Sequence, residues 1–393
     1  MKSKNQAKGF RTKYLAAAVA MLSMGASSLA LAGPTFPVGD EGELTLNYEL
    51  QIWSQYRDYR SNENAASGFD TFLRRNRMTM MGQYNDYVGF YAQIEAGGDS
   101  RYGNDERPVY FRDAYVTFDY SDAARIIAGR FKNTFSRENL EACFEPLTLD
   151  RGMGAYTPFA GTRDTGIALW GNLADARLQY RVMLADGREG DNVPIDSPRM
   201  TARVHYSVFD PEFSYGYRGT YLGTQRVLTF GAAYDMQANA VYGDLPGRTD
   251  AKDYTAYTVD VFYEEPMAAG TLTLSAAYMN YSVDGALNGP NADPEVSPAA
   301  EMESRYVKAG WLLPNRVGIG RLQMFARHET SDYDRNDAYF DQTIRAMGAN
   351  YYIDGQQLKL TFEYADVKFD TQHPTLNSLR DHKQATLGFQ MLF

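Results

Sequence analysis

The feature that most constrains this chain is a two-residue alternation of apolar and polar side chains, repeated along most of its length. Leu44, Leu46, Tyr48, Leu50 and Ile52 alternate with Glu43, Thr45, Asn47, Glu49 and Gln51. Val88, Phe90, Ala92, Ile94 and Ala96 alternate with Tyr87, Gly89, Tyr91, Gln93 and Glu95. The same period recurs at 113–120, 177–184, 199–208, 226–236, 254–264, 271–281, 305–313, 321–330, 342–353 and 357–366. Successive side chains of a strand point to opposite faces, so each run predicts a strand with one apolar and one polar face. The last run, "ATLGFQMLF", carries Ala385, Leu387, Phe389, Met391 and Phe393 on one face and stops on an aromatic. A closed barrel needs its last strand to pair with its first, leaving no edge in lipid. That predicts Phe393 in an outward aromatic girdle.

Residues 1–13 carry Lys2, Lys4, Lys8, Arg11 and Lys13 and no acid, followed by an apolar stretch and the small-residue site Ala30-Leu31-Ala32. That order predicts a signal peptide over 1–32 and an exported domain over 33–393. Removing five cations leaves 34 Lys and Arg against 49 Asp and Glu, a net charge of about −15. Such an acidic chain is not a general binder of nucleic acid. The single cysteine, Cys143, excludes an internal disulfide framework and reads as an incidental buried or loop thiol. Mean hydropathy is −0.46, yet the chain holds 30 Tyr and 21 Phe. Polar on average but rich in aromatics is the composition of an outer-membrane barrel, where lipid-facing and lumen-facing residues cancel.

Breaks between runs are of two kinds. Segments 97–108, 186–198 and 283–303 read as long exposed loops; 85–87, 121–124 and 172–176 read as tight turns. Short turns on one rim and long loops on the other are the barrel's asymmetry, and roughly 22 residues per strand and connection predict about sixteen strands. The expected fold is all-β, a transmembrane antiparallel barrel with an inward-folded loop.

Parity then assigns the lumen. Met78, Met80, Gly82 and Tyr84 suit lipid, which turns Arg75, Arg77, Thr79 and Gln83 inward. Taking Ile127, Gly129 and Phe131 as lipid-facing turns Arg130 and Lys132 inward; Arg181, Arg203, Lys308, Arg327, Arg345 and Lys359 follow by the same rule. The acids Glu95, Asp113, Asp260, Glu329 and Glu363 share that face. Arg–acid pairs stiffen a wall; a row of guanidinium groups also offers a hydrated oxyanion forked donors at each step. Residues 133–165 break the alternation for too long to be an ordinary loop. Folded inward, they bring Arg137, Arg151 and Arg163 near the path.

Several stretches resemble the phosphate-selective porin O and P family: "RRNRMTMMGQYNDYVGFYAQIEAGGD" (74–99), "FRDAYVTFDY" (111–120), "AGRFKNTFSRENLEACFEPLTLDR" (128–151), "RDTGIALWG" (163–171), "ANYYIDGQQLKLTFEY" (349–364) and the final strand. The resemblance implies a sixteen-stranded trimeric barrel with an arginine-lined path for phosphate-like anions; outer-membrane lipid is its expected surrounding, and no cofactor is expected. It places Arg74, Arg75 and Arg77 at the family's paired arginines, Arg130 and Lys132 on its basic strand, and Arg151 at the end of its inward loop. Thr134-Phe135-Ser136 stands where the family has Pro-Phe-Ser.

The expected function is passive diffusion of small anions, with no catalysis. The four histidines, His205, His328, His373 and His382, form no Ser/His/Asp arrangement. The alternatives are a general or cation-preferring porin, for which the acidic total charge speaks, and a barrel sheath around an electron-transfer or oxyanion-reducing complex.

Overall fold

A computed structural model describes residues 33–40, 42–59, 68–96, 109–159, 161–334, 339–376 and 379–393. The expected signal peptide and the loop at 97–108 lie outside these residues.

Seventeen strands are formed among the described residues: β1 (Thr35–Val38), β2 (Gly42–Tyr59), β3 (Gly68–Gln83), β4 (Val88–Glu95), β5 (Tyr110–Ser121), β6 (Ala124–Lys132), β7 (Arg163–Leu173), β8 (Leu178–Ala185), β9 (Arg199–Ser207), β10 (Val227–Asp244), β11 (Thr249–Met267), β12 (Gly270–Ser282), β13 (Met302–Val317), β14 (Gly320–Tyr333), β15 (Gln342–Asp354), β16 (Leu358–Phe369) and β17 (His382–Leu392). From β2 to β17 each strand pairs antiparallel with the next, and β17 returns to β2 with His382 opposite Tyr59 and Leu392 opposite Glu49. This is a closed sixteen-stranded barrel. β2 outruns β17, and the extra strand β1 pairs with its free start, Thr35 opposite Thr45. Phe393 completes the seam, its amide donating to the Tyr48 carbonyl at 2.8 Å and its carbonyl accepting from the Tyr48 amide at 2.5 Å. Its side chain is exposed on the outside, as the terminal alternation predicts.

The alternation sorts side chains as expected on most strands. Met78, Val182, Val204, Phe230 and Leu387 are exposed on the outer surface, where lipid replaces water. Thr45, Asn47, Glu49 and Gln51 are buried on the inner face of β2.

Two assignments are corrected. Arg130 is exposed and pairs across from the outward Ala114 and Thr165, so it faces lipid rather than lumen. Ile127 and Phe131 point inward instead, packing with Leu140. Arg345 is likewise exposed, while Ile344 and Ala346 face inward against Ala365, Val367 and Phe369. The physical reason is common to both: folded-in chain gives the inner face apolar partners, so an apolar side chain there no longer identifies lipid. The expected exposed loop at 283–303 is also different. Val283, Leu287, Val296 and Ala300 are buried in one cluster with Phe135, Phe159 and Tyr254, so this connection packs over inward-folded chain.

Candidate functional site

Residues 133–162 leave β6 and re-enter at β7. The neck is tied by the Asn133 amide on the Thr162 carbonyl at 3.2 Å. Asn139 Nδ2 adds bonds to Asn133 Oδ1 at 2.9 Å and the Thr162 carbonyl at 3.2 Å. Ser136 starts a single helical turn, Arg137–Leu140, its side chain accepting from the Asn139 amide. The segment then crosses the lumen. The Phe144 carbonyl accepts from Lys359 at 3.0 Å and Gln390 at 2.9 Å; the Leu147 carbonyl accepts from Asn350 at 2.8 Å. The Leu149 amide donates to Glu363 at 3.3 Å, and the Met153 amide to Glu329. Polar wall residues thus satisfy backbone groups that a barrel interior would otherwise strand.

Beside this segment the basic residues converge. Arg74 and Arg75 both reach Asp150, at 2.6 and 2.8 Å. Two adjacent strand residues cannot share a face in regular alternation. A β-bulge permits it: Gln51 pairs with Arg75 and Ile52 with Leu73, leaving Arg74 as the extra residue. A second bulge acts likewise on β5, where Gln93 pairs with Asp113 and Ile94 with Phe111. It turns Arg112 to Glu95, at 2.6 Å, beside Arg77, which holds the same carboxylate at 3.0 Å. Arg75 and Arg77 also lie over the Phe144 ring at 6.0 and 5.4 Å, and Arg75 donates to Gln51.

These side chains line a cavity of about 730 Å³ above the inward segment. Among the described residues it presents seven guanidinium groups (Arg57, Arg74, Arg75, Arg77, Arg112, Arg151, Arg327) and four carboxylates (Glu95, Asp150, Glu329, Glu363). The local balance is therefore basic although the whole chain carries −10. Arg151 has no carboxylate partner among the described residues; it donates to the Glu141 carbonyl at 2.6 Å and to Cys143 Sγ at 3.2 Å. Burial alone raises the thiol of Cys143, but Arg151, Arg77, Lys132 and Arg75 outweigh it and hold the group well below its ordinary range. Burial likewise opposes the charge on Asp150, and Arg74 and Arg75 overcome it, keeping the carboxyl well below the usual carboxylate range.

Of the residues expected at the path, Arg74, Arg75, Arg77 and Arg151 line this cavity. Lys132 lies behind the inward segment, donating to the Glu141 carbonyl at 2.8 Å. Arg203 is buried on β9 and paired to Asp260 at 2.7 Å, away from the cavity; Arg137 pairs with Glu212 and Arg163 with Asp113. Arg57, Arg112 and Asp150 were not anticipated. For Asp150, adjacency to Arg151 in the inward segment was the available signal.

Closed strand register, outward apolar belt, inserted segment and a charged inner cavity together define an outer-membrane porin barrel. The model of the family described as phosphate-selective porin O and P matches residues 46–393, and the chain belongs to that family. No curated protein matches it. Among solved structures it is similar to the outer membrane channel DcaP of Acinetobacter baumannii (14% identity, 91% of this chain and 99% of that one, TM-score 0.57). It is also similar to an anion-selective porin from Comamonas acidovorans (12%, 90% and 100%, 0.59) and to OmpF of Salmonella typhi in complex with daunomycin (15%, 91% and 99%, 0.58). At these identities the likeness is one of fold. The family and the barrel make the protein an outer-membrane channel.

Proposed function

We propose that the channel passes small anions by passive diffusion, with oxyanions such as phosphate as its preferred class, and that it works as a homotrimer. The observation that carries this reading is the excess of guanidinium over carboxylate groups around the cavity, seven against four. Local charge at the constriction, not total charge, decides which ion a pore admits. A guanidinium offers a fork of donors that fits a tetrahedral oxyanion, and Arg74, Arg75 and Arg77 provide three in succession. Their carboxylate partners keep any one site moderate, which suits passage rather than capture. The family's name and the anion selectivity of the Comamonas porin agree with an anion path. The trimer rests on the family resemblance and on the trimer form of Vibrio cholerae OmpT, a neighbour in fold. We also propose that residues 1–32 are removed on export, which N-terminal sequencing of the outer-membrane protein checks.

The test is the reversal potential of single channels in a salt gradient. Arg75→Ala with Arg77→Ala lowers the anion-over-cation permeability ratio, most at low salt where screening is weak. An unchanged ratio in a folded double variant defeats the assignment of the path to these residues.

A further inference from the structure

The short-turn rim has one connection unlike the rest. Residues 84–87, 122–123, 174–177, 268–269, 318–319 and 355–357 join their strands in two to four residues, whereas β9 and β10 are joined by 208–226. This stretch turns into the lumen from the rim opposite to the one that supplies residues 133–162, and the two meet. The Tyr217 amide donates to the Leu140 carbonyl at 3.3 Å, the Ala142 amide to the Tyr217 carbonyl at 2.9 Å, and the Gly219 amide to the Glu145 carbonyl at 3.0 Å. A methyl group on Gly219 would collide with the Leu147 amide, so this close approach requires glycine. Arg137 and Glu212 form a bidentate pair at 2.7 and 2.8 Å with both side chains buried, and Arg218 meets Glu145 at 3.2 Å.

The tip carries a tyrosine into a basic nest on the wall. The Tyr217 hydroxyl accepts from Arg181 at 2.5 Å and Arg203 at 3.2 Å and sits 2.6 Å from His205 Nδ1. Arg181 is fully buried and pairs with no carboxylate among the described residues; its second terminal nitrogen donates to the Tyr215 carbonyl at 2.7 Å, and its Nε has no hydrogen-bond partner among the described residues. A buried cation without a counter-ion is costly, and here neutral oxygens of 208–226 meet its two terminal nitrogens. Those oxygens stand where the oxygens of an anion would.

We propose that residues 208–226 are a second constriction element, which stoppers the β7–β12 side of the lumen and caps with Tyr217 a latent oxyanion site formed by Arg181, Arg203 and Arg137. Permeating anions then run along the wall of Arg74, Arg75 and Arg112. The proposal rests on the anion-channel reading above. Exposure separates the two walls at Arg74 and Arg112, whose side chains are 18% and 19% exposed, against 1% or less for Arg137, Arg181 and Arg203; Arg75, held by Asp150 and Gln51, is 3% exposed.

The stretch can be removed at its neck. The β9–β10 ladder extends to the Asp210 amide on the Arg226 carbonyl, 2.9 Å, so an Asn-Gly turn can replace 211–225. In planar bilayers the shortened chain should conduct at least about twofold more than the full chain. Inorganic phosphate should inhibit its chloride current at a severalfold lower concentration. Arg181→Met added to the shortened chain should abolish that gain in phosphate inhibition, yet Arg181→Met in the full chain should leave conductance and inhibition unchanged. An unaltered conductance in a shortened chain that keeps its heat-shifted gel mobility overturns the proposal. So does a changed phosphate inhibition from Arg181→Met in the full chain, a measurement that stands if the shortened chain fails to fold. A full chain without anion preference sinks the anion-channel reading instead; the rise in conductance on shortening reports the stopper whatever the ion.

Discussion

Replacing Asp150 by asparagine removes the one carboxylate shared by Arg74 and Arg75 while keeping the shape of the side chain. The cavity's described charges go from seven against four to seven against three. A unit charge pair about 4 Å apart is worth ~4 kcal/mol at an effective dielectric of 20. Asp150 and Arg74 are 14% and 18% exposed, so water recovers part of that, and a passing anion replaces only part of the contact. A gain of roughly 1.4 kcal/mol in anion binding is a reasonable remainder, which is about tenfold in the equilibrium constant. Single-channel conductance of Asp150→Asn, measured against chloride and phosphate concentration, should half-saturate at about a tenth of the wild-type concentration. The permeability ratio should move toward anions. Of the two side chains that lose their acid, Arg75 is only 3% exposed, so the variant should also melt lower. Unchanged half-saturation and reversal potential in a folded variant would refute the view that Asp150 moderates anion binding at Arg74 and Arg75.

Other expectations follow from single contacts. Arg130→Ala should leave the reversal potential unchanged, since the side chain faces outward; a shift toward cations would return it to the path. Glu141, in the inward segment, has its carboxyl pushed up to about 7 by burial, against the opposing pull of Lys308. A raised carboxyl is at no disadvantage below its unfolded value and costs stability as pH rises from there through about 7, so Glu141→Gln should be more stable than wild type at pH 8 by about 3 kcal/mol and no more stable at pH 4, read by thermal unfolding. Asp150 has the opposite sign: its depressed carboxyl contributes stability above the unfolded value that is lost only as pH falls through its own, so Asp150→Asn should narrow the gap to wild type on acidification below pH 4. Deleting Phe393 should lower outer-membrane levels of the barrel more than its conductance, because both its backbone bonds to Tyr48 close the β2–β17 seam; normal levels of the truncated chain would refute this.

Lipid made the barrel legible. A strand between hydrocarbon and water must alternate, so Leu44 to Ile52 or Met200 to Val208 could be sorted without a neighbour in sight. Parity reads the lumen face correctly where the lumen is wet and the register holds, as from Arg75, at the edge of its bulge, to Arg77. It fails where a bulge inserts a residue: Arg112 sits at lipid parity in "FRDAYV" and reaches Glu95 because the register slips beside it. Arg74 escapes the same error through family resemblance, not period. The sorting fails again where the lumen is filled. Phe131 and Ile344 look like lipid residues because a folded-in loop and lipid are both apolar, and a single strand carries no mark of which one it faces. The stretch 209–225 did carry a signal. It has no alternation, three glycines and three tyrosines, and it falls where the count of rims from β2 calls for a tight turn. A long segment on the short rim has no membrane to span and no outer surface to shield, so burial inside the barrel is where three tyrosines can be covered. Once there, its hydroxyls and carbonyls must meet the wall's polar groups: Arg181 and Arg203 at the Tyr217 hydroxyl, Asn172 and Gln179 at the Phe213 carbonyl. The same basic strands that parity assigned to the anion path are thereby divided into one wall held by tyrosine and one left to the cavity.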